Sequence, residues 1–167
     1  AEAADNSQVV VETVDLVPLA LEVVEGLALL AQGRELDLGA ELCDCAPVAG
    51  HRGLLQALIT NLVENAIRYT GSGGHVTVSV KADADSVTVS VLDDGPGIPA
   101  ESRSRIFEPF FRASTDTEGT GLGLAIVREI ADAHAGNIAL DTGEGGKGVH
   151  MRVSFPRAAA AVHSRAA

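Results

Sequence analysis

Val76-Thr77-Val78-Ser79-Val80 and Val87-Thr88-Val89-Ser90-Val91 alternate strictly between apolar and polar residues, joined across Ala82 to Asp85. Period-two alternation puts all six valines on one face of a half-buried β-hairpin, and that face needs cover. The flanking segments supply helices. Before the hairpin, Arg52 to about Tyr69 carries Leu55, Ile59, Leu62 and Ala66 on one helical face, and Gly71, Gly73 and Gly74 end it. Further upstream, Asp15 can cap a helix that tolerates Pro18 in its first turn, aligns Leu19, Val23, Leu27 and Leu30, and stops at Gly33. Short strands are expected on either side, around Val9 to Glu12 and Leu36 to Leu42. After the hairpin, a third helix is expected from near Thr120 to His134, with Leu122, Ile126, Ile130 and Ala133 inward and Gly136 closing it. A last hairpin carries Ile138 and Leu140, then Val149, Met151, Val153 and Phe155, around the turn Gly143 to Gly148. Strands arriving mainly as hairpins among three helices define a two-layer α/β sandwich, with the helices over one mixed, mainly antiparallel sheet.

The 167 residues amount to one domain, and 46% hydrophobic with 21% charged residues excludes a disordered chain. A net charge of -11 has the wrong sign for holding nucleic acid or anionic lipid by bulk electrostatics, so any phosphate must be held by local geometry. No apolar run is expected to reach bilayer length. Cys43 and Cys45, the only cysteines, complete no four-ligand zinc site and read as reduced, strand-borne residues.

Three segments carry chemistry. Asn61, Asn65 and Arg68 stand at i, i+4 and i+7, a polar stripe beside the core stripe of the second helix. Asparagine is a poor helix former, and its carbonyl is a hard, neutral oxygen suited to magnesium shared with nucleotide phosphates. Asp93 continues the phase of Val87, Val89 and Val91, so its carboxylate faces the buried side and needs a partner. An exocyclic amino group suits it, which selects adenine over guanine, and Gly95-Pro96-Gly97-Ile98-Pro99 behind it lets a flat ligand approach the backbone. Gly119-Thr120-Gly121-Leu122-Gly123-Leu124 runs into a helix N-terminus, where free N–H groups and the helix dipole make an anion site. Between the last two lies Phe107-Glu108-Pro109-Phe110-Phe111-Arg112, read as the anchor of a lid with Arg112 placed to reach phosphate. Gly95 to Ala100 also fits a dinucleotide fingerprint, but no parallel βαβ unit follows, and Gly143 to Gly148 lacks the order of a P-loop.

In this order the segments resemble the ATP-binding catalytic domain of two-component sensor histidine kinases, relatives of gyrase-type and MutL-type ATPases. Asn61 to Thr70 is similar to the N box, Asp93 to Pro99 to the first glycine box, Phe107 to Arg112 to the F box and Gly119 to Leu124 to the second glycine box. The resemblance implies a Bergerat sandwich holding ATP and Mg²⁺ between the N-box helix and a lid over residues 112–120. It implies Asn65 and Asn61 at the metal, Arg68 and Tyr69 at phosphates and Asp93 at adenine. Gly95, Gly97, Ile98, Gly119, Thr120, Gly121, Leu122, Gly123 and Leu124 would line the nucleotide, and Asn61, Asn65, Arg68 and Arg112 would act in transfer. The sequence departs from the pattern at Glu118, where a glycine is frequent, and at His150, where a threonine is frequent.

None of His51, His75, His134, His150 or His163 lies in the Ser-His-Glu-x-x-x-Pro-like context of the family's phosphorylated histidine. The expectation is a fragment: a linker at 1–8, a catalytic domain at 9–156 and a disordered tail at 157–167. The resemblance implies a homodimeric parent, with this domain in the cytoplasm and an inner-membrane anchor elsewhere. Its partners would be a dimerisation and histidine-phosphotransfer domain and a response regulator, with no nucleic acid and no membrane contact by this fragment. Two alternatives stay open. A gyrase-like or MutL-like ATPase needs a glutamate base, yet Glu64 lies about 100° around the helix from Asn65. A nucleotide-gated protein-binding module of the anti-sigma-factor kinase type would use the Phe-rich hexad for docking.

Overall fold

The computed structural model describes residues 10–112 and 121–159. Among these residues seven strands and three α-helices follow in the order β1 (Glu12–Asp15), α1 (Leu16–Gly33), β2 (Asp37–Leu42), β3 (Pro47–Gly50), α2 (Arg52–Tyr69), β4 (His75–Ala82), β5 (Ser86–Asp93), α3 (Gly123–Ala133), β6 (Asn137–Thr142) and β7 (Val149–Pro156). Five strands form one sheet in the order β2-β4-β5-β7-β6. Only β2 and β4 pair in parallel; the other three pairings are antiparallel. A separate two-stranded antiparallel sheet joins β1 to β3. The mixed, mainly antiparallel sandwich expected from the alternation is the observed fold.

The ladder aligns Val78 with Val91 and Met151, and Val80 with Val89 and Val153, making one apolar face. Val76, Val78, Val80, Val87, Val89 and Val153 are fully buried there, each stabilising the fold by roughly 1.5–3 kcal/mol relative to exposure. The opposite face carries Thr77, Ser79 and Lys81, then His150 and Arg152, with Arg152 ion-paired to Asp141.

Helix ends are fixed by side chains. Asp15 caps α1 by accepting from Val17 N at 3.0 Å and also accepts from Ala46 N at 2.9 Å, tying the helix to the β3 approach. His51 caps α2 through Nδ1, 3.2 Å from Leu54 N, and its own N–H donates to His134 Nε2 at 3.1 Å. His134 closes α3 at the same time, with Nδ1 2.7 Å from Ile130 O. A Cβ on Gly50 would lie 2.3 Å from that imidazole, so the two helix ends meet only over a glycine.

Several expectations need correction. The first strand begins at Glu12 rather than around Val9, and β3 was not anticipated. The core face of α1 is Leu16, Leu19, Ala20, Val23 and Ala31; Leu30 is exposed because the inward stripe passes from Leu27 to Ala31, one turn on, and leaves Leu30 beside it. In α3 the buried residues are Leu124, Val127, Ile130 and Ala131, while Ile126 and Ala133 face solvent. With 18 residues and a mean hydropathy of 1.5, α1 does reach the length and apolarity of a membrane-crossing helix. Its five buried side chains and its place between β1 and β2 make it a helix of the sandwich. Cys43 follows β2, donating its N–H to Val80 O just past the strand, and Cys45 lies in the loop beyond, so neither cysteine is on a strand. Just past β7, the backbone N–H groups of Arg157 and Ala158 donate to Asp85 O and Pro47 O.

Candidate functional site

The buried stripe of α2 turns Leu58, Leu62 and Ala66 into the core, which leaves Asn61, Asn65, Arg68 and Tyr69 along one wall of a cavity of about 520 Å³. Asn61 Nδ2 donates to Ala57 O at 2.8 Å, so its carbonyl oxygen is the free end of the amide. That oxygen would be 3.2 Å from a Cβ on Gly123, the first residue of α3, so a glycine keeps the gap between α2 and α3 open. Arg68 lies 3.9 Å from Glu64 within the helix, and Glu64 does not line the cavity.

Asp93 forms the facing wall. It ends β5 opposite Val76, in phase with the buried valines, and is 7% exposed. Its Oδ1 accepts from Gly95 N at 3.0 Å and Val149 N at 3.3 Å; Oδ2 has no hydrogen-bond partner among the described residues. Burial pushes the carboxyl pKa up from its ordinary value, partly countered by the two N–H donors. The arrangement leaves one carboxylate oxygen of a buried acid for a donor on a ligand.

The approach to Asp93 depends on tight backbone packing. A Cβ on Gly95 would be 2.9 Å from Tyr69 O, and one on Gly148, at φ +72°, would be 1.9 Å from Asp93 O. At the other end, Phe110 N donates to Gly121 O at 3.1 Å, and a Cβ on Gly121 would lie 2.8 Å from the Phe110 carbonyl carbon. Phe110 holds φ +65° to make this junction, while Arg105 stacks 4.6 Å over the Phe111 ring.

Of the residues expected at a site, Asn61, Asn65, Arg68, Tyr69, Asp93, Gly97, Ile98, Arg112, Gly121, Gly123 and Leu124 share this one cavity. Gly95 and Leu122 do not line it: Gly95 is a packing position, and Leu122 is the N-terminal cap residue of α3. Gly119, Thr120 and Glu118 lie outside the described residues, as do residues 113–120 of the lid expected over 112–120. His150 pairs with Leu92 and Asp141 on the far face of the sheet, away from the cavity. Sequence reasoning missed Arg103, Ile106, Thr142, Gly146, Gly148 and Val149 as lining residues. Val149 was recoverable, because it follows directly from the turn that returns beside Asp93. Arg103 carried no signal that separates it from a solvated arginine.

Residues 50–159 match the family described as histidine kinase-, DNA gyrase B- and HSP90-like ATPases, more than half of the chain, and the protein belongs to that family. It is 38% identical over 146 residues to the sensor protein kinase PmrB of Pseudomonas aeruginosa, a match that covers 86% of this chain and 30% of that protein. The chain spans about a third of the length of the curated relatives it matches. Among solved structures, the mycobacterial sensor histidine kinase MprB superposes with a TM-score of 0.78 at 27% identity, over 89% of this chain and 98% of the other. Histidine kinase ThkA, solved in complex with the response regulator protein TrrA, gives a TM-score of 0.75 at 29% identity over 89% of this chain and 42% of that one. The fold is that of histidine kinase catalytic domains.

Proposed function

We propose that this domain binds Mg-ATP and transfers its γ-phosphoryl group to a histidine on a dimerisation and phosphotransfer domain of the same parent protein, for relay to a response regulator. The observation that carries the reading is convergence: the asparagine stripe of α2, the buried Asp93 and the glycine entry of α3 line one cavity. Asp93 Oδ2 receives the adenine amino group, and the N-terminus of α3 with Gly121 and Gly123 faces the phosphates. The free carbonyl of Asn61, with Asn65 one turn on, fits a hard divalent cation, so these two would hold Mg²⁺. When bound, the metal neutralises phosphate charge. Arg68 and Arg112, which both line the cavity, supply the remaining positive charge, and Gly119 and Thr120 are assigned to the phosphates with them.

Such a site works by positioning and charge neutralisation, with no covalent protein intermediate. Water activation by Glu64 is disfavoured, since Glu64 lies outside the cavity wall beside Arg68. The domain extends over 9–156 and acts in the cytoplasm, as part of a homodimeric, membrane-anchored parent. Incubation with the parent's dimerisation helices and γ-labelled Mg-ATP is expected to put acid-labile label on those helices. Steady hydrolysis without transfer, abolished by Glu64→Gln, would overturn the reading.

A further inference from the structure

Arg103 belongs to the same cavity wall as Asp93. Its Nη2 donates to Thr142 Oγ1 at 3.2 Å and its Nε to Ile98 O at 3.4 Å. Thr142 is the ladder partner of Val149, whose N–H donates to Asp93, so the guanidinium lies one strand pair from the buried carboxylate. Arg52, Arg68, Arg105 and Arg152 each lie within 4 Å of a carboxylate; among the described residues Arg103 has no such partner, and neither do Arg34, Arg128 and Arg157, but of these four only Arg103 lines the cavity. Two of its five N–H groups are used on the protein, and three remain without a partner among the described residues. A neutral amide could make the Thr142 contact, so the latch alone does not account for a cation here, in a chain of net charge -11.

We propose that Arg103 is a base-binding residue of the nucleotide pocket, offering its planar guanidinium and spare N–H groups to the purine ring seated at Asp93. The inference rests on the nucleotide reading above. The chemistry is complementary: Asp93 accepts from the exocyclic amino group, while Arg103 meets the π face and ring nitrogens, which only accept. Its hydrogen bond to Thr142 places it at the end of β6, while Arg68 and the entry of α3, where phosphates are expected, belong to other elements of the wall.

The test is calorimetric titration of the domain with Mg-ADP and Mg-ATP, comparing Arg103→Met with Arg128→Met, alongside melting curves without nucleotide. Arg128 is exposed on α3 and does not line the cavity, so its loss removes the same charge from the domain without touching the base. Arg103→Met is expected to weaken both nucleotides by the same factor, about tenfold, as for a lost cation–π or charge-assisted contact. Arg128→Met should change affinity less than about threefold, with both variants melting near the wild type. If Arg103→Met melts far lower, Arg103→Gln, which can keep the Thr142 contact, takes its place with the same expected loss. Unchanged affinity, equal loss in the two variants, or a loss larger for ATP than for ADP would overturn the proposal. A wild type that binds neither nucleotide would instead overturn the nucleotide reading.

Discussion

A carboxylate that is 7% exposed and has one oxygen without a protein donor among the described residues is costly to fold unless something else donates to it. Asp93 was legible because side-chain direction in a strand has period two, and the valines before it fix the phase. Arg103 was not legible, since its role depends on β6 and the 98–103 segment meeting in space. Next to Asp93, Asp94 binds His75 twice, Oδ1 to the backbone N–H at 2.7 Å and Oδ2 to ring Nδ1 at 2.8 Å. The ring hydrogen bond to Asp94 and that carboxylate's charge raise the His75 pKa above its ordinary 6.5. The backbone and ring hydrogen bonds from His75 lower Asp94 below 3.8. The histidine's contribution is therefore present below 6.5 and fades as pH rises through its raised pKa; that of Asp94 is present above 3.8 and fades as pH falls through its lowered one. The gap in urea midpoint between wild type and His75→Gln should be widest near about pH 5.5 and narrow toward about pH 9. A gap that stays constant over that range would contradict the assignment. Both side chains are exposed, so the gap is small.

At the scale of elements, α2 follows its sequence pattern from Arg52 to Tyr69 because core stripe, cap and glycine stop agree. The third helix starts three residues later than its glycines suggest. Gly121, at φ +76°, is held out of the helix by the Phe110 N–H, a contact no local pattern announces. Its core face was misread because Leu122 and Ile126 form as apolar a stripe as Leu124 and Val127; packing against α2 and the sheet decides between them. The β6–β7 turn was read as a simple hairpin, yet its glycines differ in kind. Gly148 combines φ +72° with a backbone oxygen 1.9 Å from any Cβ, whereas Gly145 has φ +66° and nothing within 4 Å. Gly148→Ala should cost roughly 2–4 kcal/mol, left-handed strain plus overpacking, and Gly145→Ala only about 1 kcal/mol. Urea unfolding of the nucleotide-free domain checks this. Equal losses would show that the turn is not packed against Asp93.

For the whole molecule, alternation and helical periodicity specify the two layers and the count of main helices, since both follow from local side-chain direction. The parallel pairing of β2 with β4 and the small β1–β3 sheet escape such reasoning, because they join segments separated by a helix. The same non-local folding brings four separated segments to one cavity, and the account depends on that convergence. Its most direct test is calorimetric titration of the domain with Mg-ADP, wild type against Asp93→Asn, with melting curves to confirm that both are folded. The account predicts a single site in the wild type and a loss of about a hundredfold or more in the variant, as expected when a buried charged acceptor is removed. Equal affinity in the two proteins, or no binding by the wild type at millimolar nucleotide, would contradict it.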